Sequence, residues 1–359
     1  MRTRTPLTIA ALCALTASSF LTAAALPGQA DEPLEYVALG DSFSSGTGTR
    51  ASTDADCYRS QYGYPALLAQ AHGLQLDYQA CSGAVVADVH RNQLAALSDS
   101  TDLVTMTIGG NDVGFASVIT QCALPGWLSN CQGRINQARE VLNNEMPARY
   151  DALFAEVGLR APSADVVIGN YPHLFNGRNC NLATFFSAAE MRELNAATDE
   201  LASLIEARTS AAGFRYVDAR PAFQGHAVCD SPEWINGLSM PITESYHPNR
   251  AGNVGYADVF WPGTSAAGSA GSMGTQSLDI QQESETFSHA EQVRAQADAV
   301  LEMDLTSTEN LARARAEGVP PGQIVRLVNQ LRSGNTAVVE RALAGLSELN
   351  EQHALSTSG

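Results

Sequence analysis

The chain has 359 residues, a formal net charge of −17 and no lysine among its 21 basic residues. Such an acidic excess argues against nucleic acid and against attraction to anionic membranes, and leaves neutral or zwitterionic substrates open. Residues 1–30, MRTRTPLTIAALCALTASSFLTAAALPGQA, carry two arginines, then an apolar run, then small residues. That is the pattern of a secretory signal peptide, with cleavage expected after Ala30. No later segment is apolar enough to span a bilayer. The expectation is a soluble, exported chain without a membrane span.

The next elements alternate. Tyr36–Leu39, Leu103–Ile108, Val166–Gly169 and Phe214–Val217 read as buried strands. Between them, Tyr64–His72, Ile135–Val157 and Ala188–Ala212 read as helices. Strands alternating with helices predict an α/β domain built on a parallel sheet, spanning residues 31–262. Residues 263–277, GTSAAGSAGSMGTQS, are small and uncharged and read as a flexible linker. Residues 278–359 show apolar positions at helical spacing, broken at EGVPPGQ, and predict a helical extension. This tail carries no cysteine.

Once Cys13 leaves with the leader, Cys57, Cys81, Cys122, Cys131, Cys180 and Cys229 remain. An even number in an exported chain reads as a disulfide framework. Sequential pairing closes the shortest loops, but spacing alone does not choose among the pairings. A zinc site is the rival reading; there is no CxxC, and His173 is the only histidine near Cys180.

Four stretches carry candidate chemistry. Ser42 in ALGDSFSSGTG follows the first strand, where parallel sheets bind ligands. A serine nucleophile needs a base and donors for the oxyanion it creates. Asn111 in TIGGNDVGF follows the strand Leu103–Ile108, and its amide is a candidate donor. Gly83 in ACSGA offers a backbone N–H, and His247 in ESYHPNR lies before a helix that Pro248 begins. Taken singly, each also reads as a turn serine, an Asn-Asp turn, a loop glycine or a surface histidine.

Together, GDSFSSG, SGA, GGND and YHPN stand in the order of the four blocks of the SGNH (GDSL-type) hydrolases. The chain resembles that family over residues 35–262, and within it the secreted esterases, lipases and phospholipases of Streptomyces-type actinomycetes. The resemblance implies a flavodoxin-like three-layer α/β fold, here with a C-terminal helical extension. It implies Ser42 as nucleophile and His247 as general base. It implies an oxyanion hole of the Ser42 N–H, the Gly83 N–H and the Asn111 side chain. It also implies sequential disulfides Cys57–Cys81, Cys122–Cys131 and Cys180–Cys229, with Tyr58 and Arg59 in the loop that Cys57 holds.

One position departs from the pattern. Most members place aspartate three residues before the histidine, whereas this chain has Glu244. Either the longer carboxylate reaches Nδ1 of His247, or a main-chain carbonyl orients the ring. The chemistry requires no cofactor and no metal, and Asp112 alone makes no calcium loop. The expected substrate is a small-molecule or lipid ester, with Phe115, Leu124, Trp127 and Leu128 as a candidate acyl wall. Carbohydrate deacetylation is the alternative within the fold. The alternative outside catalysis is a binding module acting through the tail on an unnamed partner. All candidate catalytic groups precede Phe260, so a chain ending near Ser265 is expected to be active.

Overall fold

The central strands are covered on both faces. In β1 (Glu35–Gly40) and β3 (Leu103–Thr107) consecutive residues are buried, and successive strand residues point to opposite faces. A computed structural model describes residues 32–261 and 288–357; the leader and the linker 263–277 lie outside the described residues. The α/β part runs β1, α1 (Ser42–Ser45), α2 (Tyr64–His72), β2 (Gln75–Tyr78), β3, α3 (Phe115–Cys122), α4 (Cys131–Asn144), α5 (Met146–Arg160), β4 (Asp165–Gly169), α6 (Ala188–Ala211), β5 (Arg215–Val217) and α7 (Arg250–Phe260). The five strands are parallel in the order β2-β1-β3-β4-β5. That order reverses direction beside β1, and the crevice outside the strand ends at such a switch point is where doubly wound sheets bind ligands.

Three local readings differ from the sequence expectation. The helix expected over Ile135–Val157 is two helices that meet at Glu145. Pro147 lies in the first turn of α5, where its missing N–H costs nothing; inside a continuous helix it would break the ladder. β2 gave no clear apolar run because it is an edge strand with alternating exposure. Pro248 does not begin α7: Asn249 is the N-cap, its side chain accepting the Gly252 N–H at 3.0 Å.

The tail forms α8 (His289–Glu302), α9 (Thr308–Ala316), α10 (Pro321–Leu331) and α11 (Thr336–Thr357). Val293, Ala297 and Val300, then Ile324, Val328 and Leu331, are buried at helical spacing. They build a second core that takes in Trp127, Leu128, Ala183 and Phe185 of the α/β part. Polar contacts fix the docking: Asn350 Oδ1 accepts the Gly126 N–H at 2.7 Å, and Arg313 donates to the Leu128 carbonyl at 2.9 Å. The tail is therefore packed on the α/β part, and removing it would bare Trp127. The disulfides join Cys57 to Cys81, Cys122 to Cys131 and Cys180 to Cys229.

Candidate active site

The turn after β1 is shaped by Gly40, whose φ is +119° and whose added Cβ would lie 2.2 Å from the Thr107 carbonyl oxygen. Only glycine lets β1 end this close to β3. Asp41 follows and caps α1, its carboxylate accepting the Phe43 N–H at 3.1 Å. Ser42 is thus the first residue of a helix, a position whose N–H has no intrahelical acceptor.

His247 arrives from the other end of the domain. Tyr246, at φ +60°, turns the chain immediately before it. His247 Nε2 lies 2.8 Å from Ser42 Oγ, and Nδ1 lies 2.8 Å from the Ser245 carbonyl oxygen. A carbonyl only accepts, so Nδ1 carries the hydrogen and Nε2 is left bare to accept from the serine. Burial pulls the imidazole down to about 4, outweighing the Ser245 bond, which favours the charged ring. The histidine is therefore neutral at physiological pH. Its ring is expected to stay neutral from pH 7 down to about pH 5 and to gain a proton only as pH falls through about 4. Histidine C–H resonances followed by NMR check this; a midpoint at 6.5 for His247 would show that the ring is solvated.

Of the two ways to orient the imidazole, the geometry contains the carbonyl. The Glu244 carboxylate is buried but points elsewhere: it accepts the Gly48 N–H and, at 3.4 Å, the Arg50 N–H. A Cβ on Gly48 would lie 2.3 Å from the Pro248 carbonyl oxygen and 2.9 Å from His247 Cβ. Glu244 therefore braces the loop behind the histidine without touching the ring. Asn236 shares this task, donating its side-chain amide to the Gly48 and Glu244 carbonyls at 2.8 and 3.1 Å. Glu244→Gln is expected to cost less than about tenfold in kcat/KM on a soluble ester. Loss of a triad carboxylate is far more severe, ~10⁴-fold in a well-studied case, so a thousandfold loss with unchanged circular dichroism would return Glu244 to the triad.

Of the candidate oxyanion donors, Asn111 lines the same cavity as Ser42, whereas Gly83 is exposed and does not line it. Gly83, at φ +81°, sits in a turn tied to β1 by the Cys81 N–H, which donates to the Gly40 carbonyl at 3.0 Å. The Asn111 amide donates to the Ala84 carbonyl at 3.0 Å. One of its two hydrogens is spent there, which orients the group and leaves the other. Asp112 accepts the Val86 N–H and an Arg149 N–H, each at 2.9 Å. Among the described residues no group of three or more His, Cys, Asp or Glu is placed to hold a metal ion.

A cavity of about 90 Å³ starts at Ser42 and Asn111 and runs between α3, α4 and α6. Its walls are apolar, including Phe115, Val118, Ile135, Leu142 and Leu194, with Arg139 at the lining between α4 and α6. Arg139 is clasped by Glu193 and Glu200 of α6 at 3.1 and 2.9 Å. Of the expected acyl wall, Phe115 lines this cavity and stands 6.4 Å, ring to ring, from His247. Trp127 and Leu128 do not line it. They belong with Leu124 to the core shared with the tail.

The GDSL-like lipase/acylhydrolase family model matches residues 38–254, from the end of β1 to the helix after His247. The chain belongs to this family. It is a carboxylic ester hydrolase. It is 38% identical over 245 residues to a lipase of Streptomyces rimosus, covering 67% of this chain and 90% of that one. The crystal structure of the extracellular lipase of the same organism superposes with a TM-score of 0.61, at 39% identity, covering 64% of this chain and all of the other. Phospholipase A1 from Streptomyces albidoflavus NA297 gives a TM-score of 0.61 at 40% identity, covering 65% of this chain and all of the other. Since both relatives are covered in full, about a third of this hydrolase has no counterpart in them. The family match ends before α8, so the tail helices are additional to the matched hydrolase.

Sequence reasoning missed part of this hydrolase's site. Asp41 was hidden inside the serine block, where its own role was not distinguished from that of Ser42. The Asp41 carboxylate also accepts from Thr107 Oγ1 at 2.9 Å and from the Tyr171 phenol at 2.5 Å. Burial pushes it up to about 6, although all three donors favour the ionised form. Its place at a helix N-cap was the one available clue.

Proposed function

We propose that Ser42 is the nucleophile and His247 its general base, that the Ser245 carbonyl orients the ring, and that Ser42 N–H, Gly83 N–H and Asn111 form the oxyanion hole. The observation that carries this reading is the unbroken chain Ser42 Oγ, His247 Nε2, His247 Nδ1, Ser245 O at the mouth of an apolar cavity. Ser42 gives its proton to Nε2 as Oγ attacks the acyl carbon. The new negative charge meets donors already in place, and such preorganised donors are where acyl transfer gains most of its rate. The imidazolium then protonates the departing alcohol. Water, deprotonated by the same nitrogen, releases the acid from the acyl-enzyme.

The substrate class is fatty acyl esters, glycerolipids and phospholipids among them. The apolar walls of the cavity support this, and so do relatives that are a lipase and a phospholipase A1. Export supports it as well: the leader is cleaved after Ala30, the relative from Streptomyces rimosus is an extracellular lipase, and three disulfides suit an oxidising compartment. The tail, whose apolar faces are spent on Trp127 and Phe185, covers the domain; this favours the hydrolase reading over a free binding module.

The test is hydrolysis of p-nitrophenyl esters of graded chain length beside a dispersed phospholipid. Each methylene that enters the cavity contributes up to ~0.8 kcal/mol, or about fourfold in kcat/KM. The expected profile rises from acetate to a medium-chain optimum, and fatty acid is released from phospholipid. A maximum at acetate with no lipid hydrolysis would favour a deacetylase.

A further inference from the structure

The oxyanion donors come from separate loops, and nothing in the covalent chain keeps them at a fixed separation. Ser42 follows β1 and Asn111 follows β3. Between them stands Tyr171, which comes after β4 and appears in none of the four sequence blocks. Its phenol donates to Asp41 Oδ2 at 2.5 Å and accepts the Gly110 N–H at 3.0 Å. A phenol can do both at once, because it is one donor and one acceptor on a rigid ring.

Each partner of Tyr171 adjoins a reacting group. Asp41 precedes Ser42 and caps the helix that Ser42 begins. Gly110 precedes Asn111, whose amide is held from the other side by the Ala84 carbonyl. The ring itself is fixed: it is 8% exposed and packs edge-on against Phe43 at 5.0 Å. A Cβ on Gly110 would come within 3.3 Å of the phenol oxygen, so the fit between the two is close. The hydrogen bonds continue behind Asp41 through Thr107, Ser44 and Tyr64 to Thr105 and Tyr36, a buried chain anchored in β1 and β3. Burial also holds the phenol well above its ordinary pKa. Tyr171 thus remains a fixed donor and acceptor and does not shuttle protons.

We propose that Tyr171 is a positioning residue for the oxyanion hole, tying the Ser42 turn to the Asn111 turn so that both donors meet the tetrahedral intermediate. The proposal rests on the reading of Ser42 as nucleophile and Asn111 as oxyanion donor. Its physical basis is the steepness of catalysis in geometry: a misplacement of about 1 Å can cost ~10²-fold in rate. Ground-state ester binding depends on the apolar cavity instead, so the loss falls on kcat.

The experiment is a double-mutant cycle in the full chain with p-nitrophenyl butyrate. Tyr171→Phe keeps the ring and removes both hydrogen bonds. It is expected to lower kcat about tenfold or more while KM stays within about twofold. In the Asn111→Ala background the same change is expected to cost less than about threefold, because the donor it positions is gone; such non-additivity marks residues acting as a unit. Gly110→Ala presses on the same contact from the opposite side. It is expected to show the same kcat loss and the same non-additivity, and it serves if Tyr171→Phe fails to fold. Equal losses in both backgrounds, a loss confined to KM, or no loss would overturn the positioning role. If Asn111→Ala alone costs nothing, the oxyanion reading fails first, which separates the two.

Discussion

Ser42→Ala is expected to lower kcat by ~10⁴-fold or more on any ester, with the fold intact; in a serine protease, loss of the nucleophile costs ~10⁶-fold. The side chain removed makes one hydrogen bond at the site, to His247 Nε2. The helix it begins is capped by Asp41 through the Phe43 N–H, and that cap does not involve the serine hydroxyl. Stability should therefore change little while the covalent path disappears. What remains is catalysis by the oxyanion donors and by binding alone, which retain some advantage over water. Kinetics with circular dichroism measure both sides of the claim. Mass spectrometry after treatment with a phosphonate ester adds a direct check: the wild-type chain should carry the adduct on Ser42 and the variant none. Retention of more than a few per cent of activity would mean that another residue attacks the ester.

Asn111→Ala is expected to lower kcat by ~10²–10³-fold, the usual loss for one oxyanion donor. The amide is held by the Ala84 carbonyl before substrate arrives. One N–H is spent there and the second is left over, so the proposed donor is already oriented when charge develops. Alanine removes the donor and leaves the carbonyl of buried Ala84 without this hydrogen bond, so a modest loss of stability is expected beside the kinetic effect. KM on a short soluble ester should hold nearly constant, because the ground-state carbonyl gains little from the donor. A change confined to KM would place Asn111 in substrate binding and leave the oxyanion to the two backbone N–H groups.

Ser42, Gly83, Asn111 and His247 were legible as candidates because each lies in a short block, and the four blocks stand in the order of a known family. Singly, a hydroxyl, an amide and an imidazole also fit turns and surface sites; the four blocks standing in order, at strand ends that the α/β alternation predicts, made them candidates. The strands β1, β3 and β4 were legible for another reason. A strand covered on both faces reads as a continuous apolar run, as in YVAL and VVIG. The half-exposed edge strand β2 lacked that run and was not found.

The sequence by itself determined the parallel α/β class, the candidate reacting groups and the helical nature of the tail. These follow from periodicity and side-chain chemistry, which are local. Tertiary structure alone decided which group meets Nδ1 of His247. Glu244 and the Ser245 carbonyl are neighbours in the chain, and only the left-handed turn at Tyr246 sends one to the ring and the other to the Gly48 loop. It also decided that Trp127 and Leu128 serve the tail while Phe115 serves the cavity, since an apolar side chain carries no record of which apolar surface it will meet. And it alone joined Tyr171 to Asp41 and Gly110 across 130 and 61 residues of chain. Contacts at that separation are set by how β1, β3 and β4 lie side by side in the sheet, and hydrogen-bond partners of this kind leave no mark on local pattern.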